Sequence, residues 1–157
     1  MKKLLPNFRV TFLIVGFTFI LLPLGLFAKG LINSMADFKV PEPILNSAHY
    51  YDAMLWVYVH MMVIGLLILI IGYSVNEIKK QKWIAILLFI VTAFYTYLDF
   101  RSADWMFGNA LYKGDSSIIP AIISLLVNLL FFQLAIRLFT IDKTTLMNNS
   151  NNNLSGR

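Results

Sequence analysis

His60 is the residue of this sequence best suited to chemistry, because it is the single ionisable side chain in the apolar run from Ala53 to Tyr73. Histidine titrates near neutral pH, so an imidazole at membrane depth beside a carboxylate can act as an acid or base. Asp99 and Asp104 are the carboxylates placed to tune or orient it, which makes His60, Asp99 and Asp104 the catalytic candidates. Residues three and four apart share a helix face. That spacing gives three polar stripes: Asp52, Trp56 and His60; then Thr92, Tyr95 or Thr96, and Asp99; then Ser117, Ala121, Ser124 and Asn128. At about 1.5 Å per residue, His60 and Tyr95 each lie about 4 Å outward of the middle of their runs, and Asn128 lies near the middle of its own. If the stripes face one another they line a polar and aromatic cavity with an outward mouth, formed by Asp52, Asp99, Arg101, Asp104, Trp105 and His49. The ligand-binding candidates are therefore His60, Trp56, Asp52, Tyr95, Asp99, Arg101, Trp105 and Asn128.

Each residue also has a plainer explanation. Asn128 and the neighbouring hydroxyls serve equally well as hydrogen bonds between helices. His60 is satisfied if it donates to a carbonyl or to Tyr95. Trp56, Tyr50, Tyr51, Tyr58, Trp105 and Tyr112 fit an aromatic belt at the outer interface, and Arg101 can pair with Asp104 three residues on. Other chemistries lack their residues. There is no cysteine, hence no disulfide, thiolate metal site or iron–sulfur cluster. His49 and His60 are the only histidines; they lie about 16 Å apart on one segment if both are helical, so neither has an opposite partner for haem or another metal within one chain. Glycine-rich nucleotide loops, nucleophile elbows and zinc motifs are absent. Neither a cofactor nor a metal is expected.

The elements that must position these residues follow from composition. The chain has 157 residues, 59% hydrophobic and 13% charged, with positive mean hydropathy, too apolar for a water-soluble domain. The length accommodates four spans of about 20 residues each. They fall at about 10–28, 53–73, 83–100 and 118–139, within a transmembrane domain over 1–143 that is followed by a polar tail, 144–157, expected to be disordered. The fold class is all-α, an integral membrane four-helix bundle. The first run follows Lys2, Lys3 and Arg9 as a signal peptide would, but Leu26 is too large for a cleavage triplet ending at Ala28, so the run is expected to be retained as a span. Pro23 and Gly25 are expected to kink or end it. Residues 29–51 form an ordered outer loop with room for a short interfacial helix, and the third helix continues past the hydrocarbon towards Asp99 and Arg101. Ser116 or Ser117 is the expected cap of the fourth helix.

The charges set the orientation. With the N-terminus inside, Lys2, Lys3, Arg9, Lys79, Lys80, Lys82, Arg137, Lys143 and Arg157 are cytoplasmic, nine residues against four outside, Lys29, Lys39, Arg101 and Lys113. Both termini are then cytoplasmic. The formal charge of +5 flanks apolar runs and makes no aromatic-interleaved face, so no nucleic-acid partner is expected. The Asn-x-Ser sequons at Asn148 and Asn153 would face the cytoplasm and are accidental. A channel or transporter would call for acidic rings or an internal repeat, and neither is visible.

Two functions fit these residues. The first is a small polytopic membrane protein that binds a small apolar or lipid-like ligand, or a partner protein, through the outward-facing polar and aromatic pocket, with the lipid bilayer around it and homo-oligomers or a membrane partner as further associations. The alternative is an integral membrane enzyme acting on a quinone, isoprenoid or lipid, with His60 as acid or base. Compactness and the lack of organelle signals point to a bacterial inner membrane.

Overall fold

Apolar segments that must satisfy every backbone N–H and C=O without water fold as helices, and helices make up nearly all of what the computed structural model describes, residues 7–37, 42–102 and 118–155. They are α1 (Phe8–Lys29), α2 (Leu31–Asp37), α3 (Glu42–Leu45), α4 (Ala48–Ser74), α5 (Ile78–Ser102) and α6 (Ile119–Ser155). Four stretches, α1, α4, α5 as far as Arg101 and α6 as far as Thr144, are long and apolar enough to cross a bilayer. This is a multi-pass, all-helical membrane protein.

Local chemistry fixes the ends of α1. The Asn7 side chain accepts from the Val10 amide at 2.8 Å, capping the first turn. At the other end Gly30 takes a positive φ of 91°, which a residue with a side chain rarely adopts, and its amide donates to the Phe27 carbonyl at 3.0 Å. The helix therefore runs through Pro23 and Gly25 instead of ending there. A proline removes only one backbone hydrogen bond, and Pro23 is buried against neighbouring structure. Just beyond, buried Ser34 donates to the Leu26 carbonyl at 2.9 Å, folding α2 back on the end of α1.

Several boundaries differ from those expected. The outer loop contains two short helices, and α4 begins at Ala48, so that His49 and Asp52 are already helical. α5 begins at Ile78 and takes in Lys79, Lys80 and Lys82. α6 is continuous to Ser155, across most of the segment read as a disordered tail. Once a helix is nucleated each added residue costs little, and a membrane span is a ready nucleus for the polar residues that follow it.

The long helices form two antiparallel hairpins. α1 packs on α4, α5 packs on α6, and α1 meets α6 in between. The order across the molecule is α4, α1, α6, α5, an open arrangement with α4 and α5 on the outside. Between the hairpins lies a core of Phe8, Phe12, Val15, Ile68, Ala85, Val127, Phe131, Leu134, Ala135 and Leu138. Phe12 meets Phe131 edge to face, centroids 5.6 Å apart, and stacks on Phe8 at 4.1 Å. Large apolar side chains such as Leu21, Leu66, Ile70, Leu87, Phe94 and Leu126 stay exposed around the outside, which in hydrocarbon carries no penalty.

Candidate functional site

The polar residues at membrane depth divide between two places. The first is the seam between α5 and α6. Ser124 donates its hydroxyl proton to the Asp99 carboxylate. One turn or more deeper, Asn128 Nδ2 donates to the Phe89 carbonyl at 2.9 Å and to Thr92 Oγ1 at 3.0 Å. Thr92 in turn donates to the Leu88 carbonyl at 2.7 Å, and buried Thr96 donates to the Thr92 carbonyl at 2.8 Å. Antiparallel packing brings these groups together: as α5 runs from Phe89 to Asp99, its partners on α6 run back from Asn128 to Ser124. Lys82 closes the far end with an ion pair to Asp142, and its ammonium lies 5.1 Å from the centroid of the Phe139 ring.

The second place is α4. Tyr58, Gly65, Ile68 and Gly72 are the buried residues of this helix and mark the face that meets α1. At 100° per residue, His60 lies about 120° from the centre of that face, and Trp56 and Asp52 lie about 160° from it. All three are exposed. His60 Nδ1 lies 2.7 Å from the Trp56 carbonyl oxygen. A carbonyl can only accept, so Nδ1 carries a proton, and in the neutral form of the ring Nε2 is the acceptor. The indole of Trp56 lies over the same ring, centroids 5.4 Å apart. Among the described residues nothing donates to Nε2.

The stripes of α5 and α6 are thus brought together, while that of α4 stands apart from both. Tyr95 is 55% exposed and lies beside Phe94, ring centroids 6.5 Å apart. Arg101 is exposed near the end of α5. Asp104 and Trp105 lie outside the described residues, as do Ser116 and Ser117. Near the outer end of α4 a shallow depression of about 160 Å³, open to solvent, is lined by Leu31, Ile32, Leu45, Tyr50, Tyr51 and Met54; its only polar side-chain groups are the two phenol hydroxyls.

Two pairings were not anticipated from sequence, Ser124 with Asp99 and Lys82 with Asp142. The signal for both was present: consecutive spans pair antiparallel, so residues equally far from the connecting loop meet, and these pairs are complementary. No family model matches the chain, and no curated protein or solved structure matches it.

Proposed function

We propose that this protein is a binding protein of the membrane, without catalytic activity of its own, that takes up a small apolar or lipid-like molecule or a membrane partner along the outward face of α4. The observation that carries this reading is His60. An ionisable side chain near the middle of a span is costly against lipid tails and is normally turned towards protein or a wet cavity. His60 is instead turned away from α1, with Nε2 open as an acceptor and Trp56, 65% exposed, beside it. A hydroxyl, amide or indole donor on a bound molecule or a neighbouring helix would satisfy it. Trp56 and Asp52 would complete the recognition surface towards the membrane boundary.

The enzyme reading asks for a carboxylate beside His60. Asp99, on the opposite outer helix, is held by Ser124, which favours binding over acid–base catalysis. The charge asymmetry supports termini on the cytoplasmic side: Arg9, Lys79, Lys80, Lys82, Arg137 and Lys143 lie towards one end of the helices.

A photoreactive side chain in place of Trp56, activated in native membranes, tests the binding reading. The expected result is one discrete adduct, a small molecule or a partner polypeptide, lost when His60 is replaced by Leu. Adducts spread over bulk lipids and unaffected by His60→Leu would refute it.

A further inference from the structure

We propose that Arg9, Tyr73 and Asn76 form a seat for the phosphate of an anionic phospholipid at the basic end of the helices. Arg9 Nη2 donates to Asn76 Oδ1 at 2.8 Å, and the guanidinium carbon lies 5.8 Å from the centroid of the Tyr73 ring. The two contacts hold the start of α1 against the turn between α4 and α5. They orient the guanidinium without neutralising it, since the amide and the aromatic ring are both uncharged.

Other cations at this end are differently placed. Lys82 is paired with Asp142, and Lys80 lies 2.8 Å from Glu77. Among the described residues no carboxylate pairs with Arg9. Most of its N–H donors stay open, in the planar fork that binds two phosphate oxygens at once. Lys79, three residues beyond Asn76, adds positive charge. Among the described residues, six basic ones lie at this end, Arg9, Lys79, Lys80, Lys82, Arg137 and Lys143, against two acidic ones, Glu77 and Asp142. Such an excess draws anionic headgroups to a membrane surface.

The surroundings point to a lipid as the source of the phosphate. Tyr73 is 79% exposed at the end of α4, where an amphipathic ring suits the headgroup level. From Arg9 into the membrane, Val10, Leu13, Ile14 and Phe17 of α1 remain exposed, as does Ile70 one turn before Tyr73. Acyl chains hanging from a phosphate on Arg9 would lie along this apolar surface.

The test uses the purified full-length protein in detergent, with palmitoyl-oleoyl phosphatidylglycerol and the corresponding phosphatidylcholine as probes and native mass spectrometry as the readout. Binding of phosphatidylglycerol is expected to fall about tenfold in Arg9→Gln, the scale of one charge-assisted bidentate contact. Arg9→Lys keeps the charge without the fork and should lose part of this. Lys143→Gln removes equal charge elsewhere at the same end and should change binding less than about twofold, as expected of a single exposed charge. Unchanged thermal unfolding of each variant shows that it is folded. Equal losses in Arg9→Gln and Lys143→Gln would overturn the proposal in favour of a diffuse field. Equal binding of the two lipids, or displacement of phosphatidylglycerol by millimolar inorganic phosphate, would overturn it as well.

Discussion

The two hairpins are held together in different ways. Between α1 and α4 the backbones touch: a Cβ added at Gly65 would sit 2.8 Å from the Gly16 carbonyl oxygen and from Ile20 Cγ1, one at Gly16 would sit 2.7 Å from Leu69, and one at Gly72 would sit 2.4 Å from Phe12 Cβ. Between α5 and α6 side chains carry the contact, through Asp99 with Ser124, Asn128 with Thr92 and the Phe89 carbonyl, and Lys82 with Asp142. In lipid, where no hydrophobic force draws apolar helices together, close packing of small residues and interhelical hydrogen bonds are the available means. This molecule assigns one to each hairpin. The consequence bears on function: α4 is held through its glycine face against α1 and, near its outer end, through Tyr58 and its neighbours against Phe27, Leu31 and Leu45, and neither contact covers the exposed Asp52, Trp56 and His60.

Gly65→Val should destabilise the protein most. The new methyl groups meet the backbone of α1, which cannot rotate away, so a loss of about 3 kcal/mol is expected, measured as a shift in unfolding by denaturing detergent. Asn128→Leu should cost less, about 1 kcal/mol, the scale of interhelical hydrogen bonds in membranes. Should Asn128→Leu prove as damaging as Gly65→Val, the division of labour would be wrong. The smallest effect should have the opposite sign. Thr11 is fully buried and among the described residues its hydroxyl has no hydrogen-bond partner, so the similarly shaped Thr11→Val should stabilise the protein by up to about 1 kcal/mol, measured by the same unfolding titration. A loss there would mean that the hydroxyl is used in the membrane.

The four spans were legible because hydrocarbon thickness and the need for internal backbone bonding tie an apolar run of a given length to a helix. The layer of Asn128 and the extension of α5 past Leu98 were also within reach of helical spacing. What spacing could not give was the order of the helices in the membrane. Residues on α4, α5 and α6 at one depth share a cavity only if those three helices are neighbours, and here α1 and α6 occupy the middle. The decisive contact, Gly65 against Gly16, depends on which faces of two helices meet, and a glycine in a span carries no mark of its face. The span expected at 10–28 ends within a residue of α1, which runs to Lys29; of the two outcomes open at Pro23 and Gly25, a kink or a stop, the stop does not occur, because tertiary packing tolerates the proline, whereas Gly30 is required by its own backbone angle.

The most direct test of the account is an experimental structure of the protein in a lipid nanodisc made from its native membrane, inspected beside His60. A bound molecule or a second polypeptide is expected against the α4 face, with a donor atom within hydrogen-bond distance of Nε2 while Nδ1 keeps the Trp56 carbonyl. An α4 face covered only by disordered acyl chains, with His60 Nε2 facing them alone, would contradict it.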